Sequence, residues 1–156
     1  MRTPGGLDVV APYRHQGDAR LLVHRLKYHA DLDAGRILAT AIAAIVDPGC
    51  ESIIPVPRAV LRRLRYGIDV SAWLGSAVGS LTGLPVYSIL SPQLWWPSRT
   101  RGAAGSPRFR CRGPAPANAC LVDDVMTSGT TLEAAADCLS ARKAVVATIA
   151  LGPLVP

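Results

Sequence analysis

Residues 119–135, ACLVDDVMTSGTTLEAA, pass from an apolar run to two adjacent carboxylates, then to hydroxyl and glycine residues, then to a helix-forming segment. An apolar run without alternation suits a strand whose sheet is covered on both faces. Leu132, Ala135, Ala136 and Leu139 then recur at helical spacing, with Glu133 in the first turn and Arg142 and Lys143 in the last, as the helix dipole favours. Working outward, "AVVATIAL" (144–151) is a further strand. "SIIPVPR" (52–58) is a short β-branched strand that leaves its sheet through two prolines.

Three more helices follow from apolar spacing. Ala19, Leu22, Val23 and Leu26 mark the first, with Arg20, Arg25 and Lys27 largely off the stripe. Ala34, Ile37, Leu38, Ala41, Ile42 and Ile45 mark the second, which "DPG" (47–49) stops. Val70, Trp73, Leu74, Ala77, Val78 and Leu81 mark the third, with Asp69 or Ser71 as its cap. "GLPVYSIL" (83–90) reads as a strand. From about 91 to 116 the pattern dissolves into Pro, Gly, Ser and Arg, which predicts a long exposed loop of lid type, with a short hairpin at its edges. Strands alternating with helices predict an α/β fold with a mostly parallel sheet flanked by helices, in which ligands bind beyond the carboxyl ends of the strands.

The 156 residues, 49% of them hydrophobic, suffice for one core and one domain spanning 1–156. No apolar run approaches the ~20 residues of a membrane span, and residues 1–18 lack the order of a secretory signal, so a cytoplasmic chain is expected. Cys50, Cys111, Cys120 and Cys138 show no paired spacing and lie far from His15, His24 and His29; reduced, mostly buried thiols are expected, with neither zinc nor a disulfide framework. A net charge of +6 suits a polyanionic partner.

The turn from Met126 to Thr131 has the chemistry of an anion cradle. Gly129 allows a positive φ, backbone N–H groups converge with those of the following helix, and Thr127, Ser128, Thr130 and Thr131 add hydroxyls. Asp123 and Asp124 would repel a phosphate at contact, whereas ionised carboxylates accept hydrogen bonds from sugar hydroxyls or share a divalent cation. A ribose 5-phosphate satisfies both halves. An ordinary strand followed by a Ser/Thr-capped helix is the plain alternative; a Walker B strand is excluded by the lack of a G-x-x-x-x-G-K-[ST] loop.

"CLVDDVMTSGTTL" (120–132) resembles the phosphoribosyl diphosphate motif of type I phosphoribosyltransferases. "YRHQGDARLLVHRLKY" (13–28), "PVPR" (55–58), "RRLRYG" (62–67) and the 101–109 part of the loop make the chain similar to the ComF (competence protein F-like) branch. The resemblance implies a Rossmann-like, type I phosphoribosyltransferase-like core, a small hood from the N-terminal segment and the long flexible loop, and a homodimer. It assigns Met126, Thr127, Ser128, Gly129, Thr130 and Thr131 to the 5-phosphate and Asp123 and Asp124 to catalysis, either one being a candidate general base. Val56, Pro57, Arg58, Arg62 and Arg63 fall to the diphosphate, with Val56 as a backbone donor, and Arg99 and Arg101 to the mobile loop. The basic 58–65 cluster reads equally as a solvated helix face, and Trp95 and Trp96 as packing or base-stacking residues. The family's arginine, glycine, phenylalanine, asparagine segment stands here as Tyr66, Gly67, Ile68 and Asp69, and Ala104 replaces an asparagine of its loop, so the chain departs at all of these but Gly67. The implied activity is transfer of ribosyl 5-phosphate from phosphoribosyl diphosphate to a nitrogen acceptor, with Mg²⁺ carried by the substrate and no metal held directly unless by Asp123 and Asp124. The alternative is a non-catalytic accessory protein of DNA uptake or processing that binds single-stranded DNA or senses phosphoribosyl diphosphate.

Overall fold

The computed structural model describes residues 1–57, 68–92 and 109–150. Its elements are β1 (Asp8–Val10), β2 (Tyr13–Arg14), α1 (Gly17–His29), α2 (Leu32–Ala43), β3 (Ser52–Pro55), α3 (Val70–Thr82), β4 (Leu90–Pro92), β5 (Phe109–Cys111), β6 (Ala119–Met126), α4 (Thr130–Leu139) and β7 (Lys143–Ile149). The main sheet has the order β1-β7-β6-β3, with β2 beside the far end of β7, and every pairing in it is parallel.

Side chains on successive strand residues point to opposite faces, so two separate cores form on the sheet. Ile53, Cys120, Val122, Val145 and Ala147 meet Val23 and Leu26 of α1, Leu38 and Ile42 of α2, and Leu74 and Val78 of α3. Ile54, Leu121, Ala144 and Val146 meet Leu132, Ala135, Ala136 and Leu139 of α4, with Leu7 and Val9. Apolar partners on both faces explain why β3, β6 and β7 read as unbroken apolar runs. The result is an α/β protein with a parallel sheet flanked by helices, compatible with a Rossmann-like fold.

Several expectations are corrected. Residues 8–14 do not stand apart as a hood: β1 and β2 extend the main sheet along β7. The 83–90 strand reduces to a parallel bridge of Val86 with Ile53, flanked by hydrogen bonds from Ile53 N to Pro85 O and Tyr87 N to Ile53 O. Leu90 onward instead pairs antiparallel with β5, the hairpin expected at the loop's edges. Ile37 of the second helical stripe is 51% exposed, and Gly35 and Ala39 are buried instead. The last turn of α4 holds no basic residue, since Ser140 in the left-handed region ends it; Lys143 opens β7 and pairs with Asp47 at 2.7 Å.

The thiols also differ from expectation. Cys111 and Cys138 form a disulfide, with Cα atoms 6.2 Å apart, because β5 packs against α4; Cys50 and Cys120 are free and buried.

Two features place α3 over the ends of the strands. Asp69 caps it by accepting a hydrogen bond from Ala72 N at 3.2 Å. Gly75 lets it settle on Pro55, whose Cγ would lie 2.5 Å from any added Cβ.

Candidate functional site

The carboxyl end of β6 runs into the turn at 127–129 and then into α4, so the paired acids and the turn share one edge of the sheet. Gly129 is the N-cap of α4 with φ +78°, in the left-handed region. An added Cβ there would meet nothing closer than Thr3 Cγ2 at 3.6 Å, so backbone conformation within the protein demands the glycine, and space does not. The amides at the start of α4 have no intrahelical partners by helix geometry, and its N-cap, a glycine, has no side chain to offer them. The helix dipole adds partial positive charge at the same point.

Thr127 and Ser128 are exposed, and Ser128 Oγ lies 3.0 Å from Thr130 Oγ1. Thr130 and Thr131 are half-buried. The arrangement offers hydroxyls and helix amides to an anion arriving from solvent. Met126 is corrected: it is the last residue of β6, its side chain is packed in the core, and its carbonyl accepts from Ala150 N, so it forms the floor of the cradle.

Asp123 and Asp124 are 8% and 4% exposed. Buried carboxylates require donors, and the fold supplies them. Asp123 Oδ1 accepts from Ser71 Oγ at 2.6 Å and from Asp124 N at 2.8 Å. Asp124 Oδ2 lies 3.0 Å from Lys27 Nζ on α1. Ionised carboxylates accept hydrogen bonds from hydroxyl groups, and that is the chemistry these two acids bring to this edge of the sheet.

The adjacent end of β7 adds Thr148, whose Oγ1 donates to Asp124 O at 3.5 Å and lies 2.8 Å from His15 Nδ1. Burial lowers the His15 pKa, Lys27 and then Arg20 lower it further, and Asp124 opposes them. A neutral imidazole is thereby favoured beside the ammonium.

At the end of β3 the structure corrects one donor. Val56 N–H is given to Val122 O at 2.9 Å and its side chain is 1% exposed, so Val56 continues the sheet and offers no amide to a ligand. Pro57 is half-buried and has no N–H. Arg58, Arg62, Arg63, Arg99 and Arg101 lie outside the described residues, as do Arg65, Tyr66, Gly67, Trp95, Trp96 and Ala104.

Ser71, His15 and Thr148 were not recognisable as site residues from spacing. Ser71 had only a helix-capping reading, yet it is fully buried against Asp123. Thr148 carried a signal, being the one hydroxyl in an apolar strand. Lys27 reads from the sequence as a residue at the edge of the core, to which the family resemblance adds a possible site role.

Among the described residues no group of three or more His, Cys, Asp or Glu side chains is placed to hold a metal ion. No protein-family model, curated protein or solved structure matches the chain.

Proposed function

We propose that this chain is a phosphoribosyltransferase-like protein with the type I core, binding phosphoribosyl diphosphate and transferring ribosyl 5-phosphate to a nitrogen nucleophile. One observation carries the reading. Two buried acids stand in the carboxyl-terminal half of the central strand β6, and five residues after Asp124 the chain reaches a left-handed glycine that opens α4. That order supports the reading because it brings carboxylates suited to hydroxyl groups and a turn suited to a phosphate to one edge of the sheet. The resemblance of 120–132 to the phosphoribosyl diphosphate motif supports the same reading.

In this reaction the anomeric C–O bond breaks, diphosphate leaves with the electron pair, and a C–N bond forms. Positive charge develops on the sugar ring, and fixed carboxylates beside it stabilise that charge. Asp123 and Asp124, held by Ser71 and Lys27, are pre-oriented for the role. The proton leaving the nitrogen passes to one of the two carboxylates. Mg²⁺ would be held mainly by substrate phosphates, with Asp123 and Asp124 as its protein oxygens, and would neutralise charge on the leaving diphosphate. The donor set fits only such a substrate-borne ion.

Calorimetric titration with phosphoribosyl diphosphate and Mg²⁺ tests the proposal. The wild-type chain should bind, and the double variant Asp123→Asn, Asp124→Asn should lose binding by 100-fold or more, on the order of two charged hydrogen bonds. Unchanged affinity in the double variant would refute the assignment.

A further inference from the structure

A cation stands at the hydroxyl-binding end, and the proposed reaction gives it no direct part. Lys27 Nζ lies 3.0 Å from Asp124 Oδ2, and the two side chains are 16% and 6% exposed. A desolvated ion pair adds little net stability, because removing both ions from water offsets most of their attraction. Its position at the ligand end of the sheet therefore calls for a different explanation.

The cradle supplies one. Asp123 and Asp124 concentrate negative charge near the turn that would receive a phosphate. A like charge within about 10 Å, at an effective dielectric of ~20, weakens anion binding by roughly tenfold or more. We propose that Lys27 is the charge-compensating residue of this site, its ammonium cancelling Asp124 so that a phosphate can settle at Gly129 beside two acids. The acids keep their hydrogen-bonding capacity for sugar hydroxyls while their repulsion of the phosphate is reduced. His15, half-buried within electrostatic reach of Lys27, adds no second fixed charge, because partial burial and then Lys27 favour its neutral form.

The inference rests on the phosphate reading of the cradle, and its test separates the two. Inorganic phosphate and ribose 5-phosphate are titrated into wild-type chain, Lys27→Gln, Lys27→Arg and the double variant Lys27→Gln, Asp124→Asn, with melting temperatures recorded in parallel. Lys27→Gln removes the charge and leaves an uncharged N–H donor on a side chain one bond shorter. Its affinity for inorganic phosphate should fall about tenfold or more, within the range set by the charge interaction. Lys27→Arg should stay within a few-fold of wild type. The double variant should recover phosphate affinity without recovering ribose 5-phosphate affinity, a pattern that a merely structural role of Lys27 does not produce. Should Lys27→Gln fold poorly, the comparison of Lys27→Arg with the charge-balanced double variant decides the matter by the same criterion. If the wild-type chain binds neither probe, the cradle reading itself fails. If it binds both, and a folded Lys27→Gln variant binds inorganic phosphate as tightly, the charge-compensating role is overturned while the cradle stands.

Discussion

Gly129 carries the strongest single-residue constraint in the site. Its φ of +78° is one that an L side chain adopts at a cost of roughly 1–2 kcal/mol. Gly129→Ala should therefore lower stability by about that amount, since the added Cβ meets only ordinary contacts at 3.6 and 3.8 Å. The same change tilts the first amides of α4, so ribose 5-phosphate affinity should fall by more than the stability loss accounts for. Thermal denaturation and calorimetry measure the two effects, and a variant that loses stability yet binds normally would detach the cradle from function. His15 gives a second residue-scale prediction with a definite sign. Its folded pKa lies below the ordinary value near 6.5, chiefly through burial and then through Lys27 and Arg20. As pH falls through 6.5 the unfolded chain takes up the proton first, so stability drops until pH passes below the folded pKa and then levels. Chemical denaturation at a series of pH values should show this decline in the wild type and its loss in His15→Gln. Parallel curves for the two chains would remove His15 as the titrating group.

At the scale of elements, what the sequence made legible depended on how locally each element is determined. β6, β7 and β3 announce themselves because both of their faces are apolar, and α3 because its spacing and its Asp69 cap are contained within a few residues. β1 and β2, of three and two residues, carry no periodicity that could be read; they are strands because the edge of β7 offers them a parallel ladder. Residues 83–89 show the converse, a β-branched segment of which only Val86 finds a bridge. The cradle and the acids are legible because they are contiguous, whereas Ser71 reaches Asp123 from α3, Lys27 reaches Asp124 from α1, and His15, just past β2, reaches Thr148 beside them. The Cys111–Cys138 pairing belongs with these non-local facts, since 27 residues separate its ends and only the packing of β5 on α4 joins them. Closing a loop of that size restricts the unfolded chain by roughly 3–4 kcal/mol. Cys111→Ser should lower the melting temperature of oxidised protein to that of the reduced wild type. Thiol titration of denatured, unreduced chain should find the two free groups of Cys50 and Cys120. Four free thiols in the unreduced chain, or an unchanged melting temperature on reduction, would show that the pair is not bonded.

At the scale of the whole molecule, net charge separates a small phosphorylated ligand from a long polyanion. The chain carries +6, and Arg110 and Arg112 on and beside β5 are exposed. A surface of that charge attracts single-stranded DNA by releasing counterions, and its affinity falls steeply with salt in proportion to the number of phosphates contacted. A phosphate seated at the start of α4 is held by directed amides and hydroxyls at one point, so its salt dependence is shallow by comparison. Fluorescence anisotropy with an oligothymidine should therefore show binding at about 50 mM salt that weakens by orders of magnitude near 200 mM, while ribose 5-phosphate affinity changes several-fold at most. The Asp123→Asn, Asp124→Asn variant sharpens the separation: it should abolish sugar-phosphate binding and leave the DNA curve in place or slightly strengthened, because two negative charges are gone. Oligothymidine binding that competes with ribose 5-phosphate and is lost in that variant would place nucleic acid in the cradle itself. The substrate would then be a polynucleotide end, recognised through its terminal phosphate and sugar.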